Sequence, residues 1–175
     1  GWEFKSLKDA GLVSDPDETG STFLENARIK ARAAHDIAGT AVLADDSGLI
    51  VDALDGAPGV FSSRYCGIDG DDRANNVKLL RELGAVPYEQ RTARFATVLV
   101  FIDENGSETV AEGFVEGHIG FAERGEHGFG YDPLFFPDTY NGDVTMAELS
   151  QGQKNAISHR GNALRELKKK LHPSD

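Results

Sequence analysis

The chain has 175 residues, the length of a single globular domain, and 39% of them are hydrophobic, which is enough to build a core. Its 29 acidic and 18 basic residues give a formal net charge of −11, which excludes a protein that coats nucleic acid, because neutralising phosphates requires a basic face. A single cysteine, Cys66, excludes an internal disulfide and a cysteine-rich zinc site. The longest apolar stretch, residues 96–102, is too short to span a bilayer, and residues 1–5 do not resemble a signal peptide, so we expect a cytoplasmic protein without a membrane partner.

The first half of the chain predicts one helix and two short strands. Residues 2–13 look like a short tail, and an acidic turn follows it. Thr22 and, three positions later, Glu25 form a capping box, which predicts a helix that a glycine ends. Residues 41–44 and 49–51 predict two short strands, separated by a polar segment at which the chain turns.

The second half predicts two more helices and a hairpin. Residues 71–83 predict an amphipathic helix, and residues 93–102 predict a strand that turns at Asn105–Gly106 into a return strand over residues 108–115. A glycine-rich loop follows, and residues 158–171 predict the last helix. Strands joined by a hairpin and strands separated by helices together predict a mixed α/β fold in one domain. The buried face of the helix predicted over residues 71–83 is expected to hold Ala74, Val77, Leu80 and Leu83.

Four carboxylates are the first candidates for chemistry: Glu18, Glu25, Asp45 and Asp46. Carboxylates grouped without cysteine or histidine suit an oxygen-preferring cation such as Mg²⁺. Neighbouring side chains of a strand point to opposite faces, and we expect Asp46 to face a cleft because Ser47–Gly48 provide a bend after it. The alternative is that Glu25 only caps its helix and that the two aspartates form a solvated turn.

A basic group lies near the last helix and contains Lys154, His159 and Arg160. Ser158 can cap this helix, which places the histidine and the arginine in its first turn, where free N–H groups and the positive end of the dipole favour an anion. Two cations there are unfavourable unless an anionic or carbonyl-bearing partner binds. The alternative is an ordinary solvated helix start.

Residues 128–133, Gly-Phe-Gly-Tyr-Asp-Pro, are a third candidate. Their glycines permit a close approach of the backbone, and Phe129 and Tyr131 offer a stacking surface to a planar ring. The alternative is that Phe129 belongs to the core and Tyr131 covers it. The sequence contains no P-loop motif and no H-E-x-x-H zinc motif, and no G-x-S-x-G surrounds Ser47, so a serine hydrolase is not expected.

Five motifs occur in an order that resembles a known family. They are residues 22–27 (TFLENA), 44–49 (ADDSGL), 56–60 (GAPGV), 128–133 (GFGYDP) and 154–161 (KNAISHRG). Together they are similar to the inosine triphosphate pyrophosphatase family over about residues 18–167. The resemblance implies an α/β fold with a mixed central sheet, flanked by helices in two lobes with a deep cleft between them, and a homodimer. It also implies Mg²⁺-dependent hydrolysis of non-standard purine nucleoside triphosphates (ITP, dITP and XTP) to the monophosphate and pyrophosphate, which removes deaminated purines from the nucleotide pool.

The resemblance further implies roles for individual residues. Asp46 matches the proposed general base, and Glu18 with Asp46 matches the metal-binding carboxylates. Lys30 and Ser47 match positions that contact phosphate. The purine-binding positions are matched by Phe129, Gly130, Tyr131, Asp132, Lys154, His159 and Arg160.

The start of the chain departs from the family's pattern. Members usually open with a buried strand and a Ser/Thr-x-Asn-x-x-Lys loop that grips the triphosphate, and nothing before Glu18 supplies either one. We therefore expect one two-lobed domain over residues 1–175, from a natural protein that begins upstream of Gly1. The alternatives are a catalytically silent nucleotide-binding module, a pyrophosphatase with another base preference, and a dimeric structural protein whose acidic cluster is merely solvated.

Overall fold

The computed structural model describes residues 3–173, so Trp2, where the predicted tail begins, lies outside the described residues. The strands are β1 (Val42–Val51), β2 (Thr92–Ile102), β3 (Glu108–Ile119) and β4 (Phe135–Pro137). They form a sheet in the order β1-β2-β3-β4, and each neighbouring pair is antiparallel. The predicted α/β class is confirmed. The helices are α1 (Phe23–Ala38), α2 (Asp72–Leu83), α3 (Gln151–Ile157) and α4 (His159–Leu171).

The single strand β1 replaces the two short strands predicted for residues 41–44 and 49–51. Its whole length pairs with β2. Asp46 and Ser47 therefore lie in the middle of a strand, and the bend predicted at Ser47–Gly48 was wrong. Pairing along the full length satisfies the backbone N–H and C=O groups, and this gain outweighs the poor strand preference of aspartate and glycine.

The two faces of the sheet carry different helices. α1 packs on one face through a cluster that includes Val98, and α4 packs on the other through a cluster that includes Leu99. Residues directly opposite each other in an antiparallel pair share a face, and adjacent residues alternate. Asp46, opposite Val98, therefore lies on the α1 face, whereas Asp45, opposite Leu99, lies on the α4 face.

Helix ends were predicted correctly where a polar cap precedes the helix. Thr22 Oγ1 accepts the N–H of Glu25 at 3.1 Å at the start of α1, and Ser158 Oγ accepts the N–H of Gly161 at 3.1 Å at the start of α4. Gly39 ends α1 in the left-handed region, with φ of +65°. No helix within residues 3–173 is long and apolar enough to cross a membrane.

α2 forms as predicted, but its buried face differs from the prediction. Val77 is 58% exposed, whereas Leu79, Asn75 and Asn76 are buried. Asn75 accepts the N–H of Cys66 at 2.8 Å and donates to a neighbouring carbonyl, so this face is anchored by amides as well as by apolar packing. A hydrophobicity pattern does not detect such polar anchoring. It also did not predict α3 or the extension of the return strand beyond residue 115.

Candidate functional site

A lysine and two carboxylates form a charged group on the α1 face of the sheet. Lys30 of α1 places its Nζ 3.2 Å from Glu18 Oε1 and 3.2 Å from Asp46 Oδ1. The N–H of Gly20 donates to Asn26 Oδ1 at 2.8 Å, which holds the segment before α1 against the helix. That segment brings Glu18 to the lysine. We refer to Glu18, Lys30 and Asp46 as the acid group.

Asp46 is the most buried member of the acid group, since only 12% of its side chain is exposed. Burial raises the pKa of its carboxyl above the ordinary value of 3.8, and Glu18 adds to the rise, against the opposing effects of Lys30 and of the nearby Asn26 amide. Oδ1 pairs with Lys30, whereas Oδ2 is buried without a hydrogen-bond partner among residues 3–173. Because an unpaired buried acceptor costs free energy, Oδ2 is suited to take a proton, a cation or a water hydrogen bond.

The acid group can offer two carboxylates to a divalent cation. Mg²⁺ is commonly held by one or two carboxylates together with substrate phosphates and water, and the unpaired Oδ2 of Asp46 fits that donor set. In the described part of the chain, no three His, Cys, Asp or Glu side chains are gathered so that they could hold a metal ion by themselves. The two carboxylates of the acid group could therefore supply part of the ligand set of such a cation.

The other two predicted carboxylates are not part of the acid group. Glu25 Oε2 accepts the N–H of Ser21 at 2.6 Å and the hydroxyl of the same serine at 3.0 Å. Glu25 thus caps the helix start, as its alternative interpretation held, although through Ser21 rather than through Thr22. The solvated turn considered for the two aspartates is wrong, because both lie within β1.

Asp45 and Ser47 point to the α4 face. Asp45 Oδ2 lies 3.1 Å from the Arg160 guanidinium, and Ser47 Oγ lies 3.2 Å from the same carboxylate oxygen and 2.6 Å from Thr97 Oγ1. Of the two residues predicted to contact phosphate, Ser47 therefore lies on the α4 face of β1, whereas Lys30 extends from α1 and contacts Asp46 on the opposite face. The structure joins Arg160 to Asp45 and leaves Asp46 with Lys30.

His159 begins α4 and is kept neutral by its surroundings. Its ring stacks on Phe95 with the centroids 5.3 Å apart, and its Nδ1 is buried with no hydrogen-bond partner in the described structure. Burial lowers the pKa of the imidazole to about 4, and the charges of Arg160 and Lys154 act in the same direction. The prediction of two cations in the first turn of α4 is therefore wrong at neutral pH, where the imidazole carries one donor and one acceptor nitrogen.

The loop of residues 128–133, here called the Phe129 loop, is built around Asp132. Asp132 Oδ2 accepts the N–H of Phe129 at 3.1 Å and lies 2.5 Å from Lys154 Nζ. The same ammonium lies 4.5 Å from the centre of the Phe129 ring, in cation–π geometry. The predicted base-binding residues Phe129, Asp132 and Lys154 are thus in contact.

The burial of the two aromatic rings of the Phe129 loop is the reverse of the alternative interpretation, which placed Phe129 in the core and Tyr131 over it. Phe129 is 65% exposed, whereas Tyr131 is 5% exposed and donates from its hydroxyl to the Ser62 carbonyl at 2.7 Å. Burial raises the pKa of the Tyr131 phenol, so this tyrosine stays protonated and anchors the loop. The exposed ring of Phe129 is left to stack on a ligand.

Sequence analysis missed two residues of α2 that contact this loop. Asp72 accepts the N–H of Gly130 at 2.9 Å, and Asn76 donates to the Gly130 carbonyl at 3.1 Å. The available signal was the pair of adjacent asparagines in a helix that otherwise buries leucines, since a buried amide needs polar partners.

A match to a protein-family model assigns the chain to a family. The model described as the Ham1 family matches residues 1–170. A dITP/XTP pyrophosphatase of Oceanobacillus iheyensis is 50% identical over 160 residues, which are 91% of this chain and 80% of the relative. One of Bacillus subtilis is 49% identical over 172 residues, which are 98% of this chain and 85% of the relative. The chain therefore belongs to the Ham1 family, and the resemblance inferred from the five motifs is confirmed.

Solved structures agree with this assignment. The Staphylococcus aureus Ham1 protein aligns with a TM-score of 0.84 and 46% identity, and the match covers 90% of this chain and 80% of that one. A structure named as a nucleoside-triphosphatase and dITP/XTP pyrophosphatase of Mycobacterium abscessus aligns with a TM-score of 0.80 and 44% identity, covering 99% and 85%. The helices and the antiparallel sheet described above are thus the fold of this family.

Proposed function

We propose that this protein hydrolyses non-standard purine nucleoside triphosphates (dITP, XTP and ITP) to the monophosphate and pyrophosphate, with Mg²⁺. The coarser part of this statement, a nucleoside-triphosphate pyrophosphatase, is confirmed by membership of the Ham1 family and by relatives named dITP/XTP pyrophosphatase. The observation that supports Mg²⁺-dependent hydrolysis is the acid group, in which a buried carboxylate keeps one oxygen unpaired beside a lysine.

Asp46 supplies the general base in this proposal. Burial raises the pKa of its carboxyl, which favours uptake of a proton, and the free Oδ2 accepts that proton from water. The water oxygen attacks the α-phosphorus, the bond from that phosphorus to the bridging oxygen breaks, and pyrophosphate leaves. Glu18 and Asp46 would hold Mg²⁺, which supplies charge neutralisation of the phosphates when it is bound. Lys30 adds a positive charge on the same side.

Base selection is assigned to the Phe129 loop and the start of α4. Phe129 stacks on the purine, while Lys154, Arg160 and the neutral His159 provide hydrogen-bond donors around it. Deaminated purines carry an acceptor oxygen at position 6, where adenine carries an amino donor, so donor groups at this position would be left unpaired by adenine. Such a mismatch discriminates by orders of magnitude in sites built on hydrogen bonds.

A nucleotide panel tests the proposal. We expect pyrophosphate release from dITP, XTP and ITP with Mg²⁺ to be much faster than from ATP. Comparable rates with ATP would refute the base preference. Calorimetric binding of these nucleotides without pyrophosphate release would instead identify a catalytically silent nucleotide-binding module, and no binding at all would favour a structural protein.

Two further properties are part of the same proposal. We infer a homodimer from the family resemblance and propose a cytoplasmic location, with a nucleoside triphosphate rather than a nucleic acid polymer as the partner. Sedimentation velocity of the purified protein at micromolar concentration would test the dimer, and a monomer under those conditions would contradict it.

A further inference from the structure

Helix α2 contacts the Phe129 loop through two side chains that lie one helical turn apart. Asp72 Oδ2 accepts the N–H of Gly130 at 2.9 Å, and Asn76 Nδ2 donates to the carbonyl of the same glycine at 3.1 Å. Residues at positions i and i+4 share one face of a helix, so this pair can grip a single residue from both sides. Both backbone polar groups of the residue that follows Phe129 are therefore bound by α2.

The other side of Phe129 is held as well. Its own N–H donates to Asp132 at 3.1 Å, and Asp132 is paired with Lys154. Gly128 and Gly130 have φ values of +78° and +60°, a region that L-residues with side chains rarely adopt. The turn therefore depends on these hydrogen bonds to keep one backbone conformation around Phe129.

The ring of Phe129 has little apolar packing to orient it. The residue is 65% exposed, and its ring meets the ammonium of Lys154 at 4.5 Å. The direction of an exposed side chain follows from its backbone and a few staggered rotamers. Whatever fixes the peptide of Gly130 therefore also fixes where this ring points.

Asn76 donates to the Phe129 loop although its own side-chain oxygen is buried and unpaired. The residue is 3% exposed, its Nδ2 donates to Glu123 at 2.8 Å as well as to Gly130, and its Oδ1 is buried without a hydrogen-bond partner in the described residues. An apolar side chain of similar size would avoid the unpaired oxygen. The amide is therefore used here as a donor to the loop.

We propose that Asp72 and Asn76 of α2 are positioning residues, which hold the Phe129 ring in the orientation in which it stacks on the purine. This inference rests on the proposed function, because it takes Phe129 to be the stacking residue. Asp72 and Asn76 act through Gly130 and affect purine affinity rather than the chemical step.

A set of three single variants separates positioning from stability. Asp72→Ala removes the acceptor for Gly130, whereas Asp72→Asn keeps an oxygen that can accept the same hydrogen bond and removes only the charge. Asp71→Ala is the matched control: Asp71 caps the same helix start by accepting the N–H of Ala74 at 3.0 Å, whereas the N–H of Gly130 donates to Asp72. Each variant is measured for kcat and KM with ITP, for binding of inosine monophosphate and of pyrophosphate by calorimetry, and for amide hydrogen exchange over residues 128–132.

For Asp72→Ala we expect KM and the Kd for inosine monophosphate to rise about five- to tenfold, the scale of one typical lost hydrogen bond. We expect kcat and the affinity for pyrophosphate to stay within about twofold, because the chemical step and the phosphates are handled by the acid group. Exchange over residues 128–132 should accelerate. Asp72→Asn should restore KM, and Asp71→Ala should lower the melting temperature without changing KM.

Two results would overturn the inference while leaving the proposed function intact. One is that the Asp72→Ala variant binds inosine monophosphate as tightly as the wild-type protein does, while the wild-type protein hydrolyses ITP. The other is an equal rise of KM in Asp71→Ala, which would mean that any loosening of α2 has the same effect. A wild-type protein that neither binds inosine monophosphate nor hydrolyses ITP would instead overturn the proposed function, and the positioning role with it.

Discussion

The acid group and the Phe129 loop differ in how completely their polar atoms are paired. In the Phe129 loop, the amides of Phe129 and Gly130 and the carboxylate of Asp132 all have partners within the protein. In the acid group, Asp46 keeps a buried oxygen without one, at a site where burial already opposes its charge. A region that only has to bind can be prebuilt, whereas a region that has to take up a proton must leave an acceptor free.

The largest effect that tests this contrast is expected from Asp46→Asn. Removing a positioned base should lower kcat by about 10²–10⁴-fold, with a much smaller change of KM. The free energy of unfolding at neutral pH should not fall, because burial disfavours the carboxylate that the variant removes. Steady-state pyrophosphate release and urea unfolding measure the two effects. Asp45→Asn, on the other face of β1, is the control and should retain most of kcat. An equal loss of kcat in both variants would contradict the role of Asp46 as the general base.

His159 provides the next largest effect, through the pH dependence of stability. Its pKa is about 4 in the folded protein, against 6.5 for an unperturbed histidine, so between these values the unfolded chain binds a proton that the folded protein does not. Stability should therefore fall as the pH drops from 6.5 towards 4, by up to about 3 kcal/mol more than in His159→Gln. Urea unfolding at several pH values measures this difference.

The control for that experiment is His127→Gln, which makes the same substitution at an exposed histidine. Equal losses of stability in the wild type and in His159→Gln would contradict a neutral, buried His159.

The smallest effect is expected for the Phe129 loop, which binds the base in the proposed function. Phe129→Ala should raise KM for ITP roughly tenfold, within the range measured for aromatic stacking on a base, and should leave kcat nearly unchanged. Phe121→Ala removes another exposed aromatic ring, which lies under the Arg91 guanidinium at 3.9 Å, and should not change KM. A loss confined to kcat in Phe129→Ala would contradict the stacking role.

Local signals predicted the parts of the fold that depend on neighbours in sequence. Thr22, Gly39 and Ser158 set helix ends through hydrogen bonds and backbone angles within a few residues, so their positions could be predicted. The hairpin at Asn105–Gly106 followed from turn chemistry in the same way. The continuity of β1 could not, because it depends on pairing with β2, which is distant in the chain.

The residues of the candidate site were found through motifs, but their partners were not. The motif residues Asp45 and Asp46 are adjacent, and only the register of the sheet assigns one to Arg160 and the other to Lys30. The roles of Phe129 and Tyr131 were open because both are aromatic at alternate positions. Tyr131 is buried in the core and donates a hydrogen bond to Ser62, which is distant in the chain, so no local pattern encodes its position.

The central claim that water attacks the α-phosphorus is tested most directly by hydrolysing ITP in ¹⁸O-labelled water and locating the label by mass spectrometry. The account predicts one labelled oxygen in the inosine monophosphate and none in the pyrophosphate. Label in the pyrophosphate would place the attack on the β-phosphorus and contradict the account.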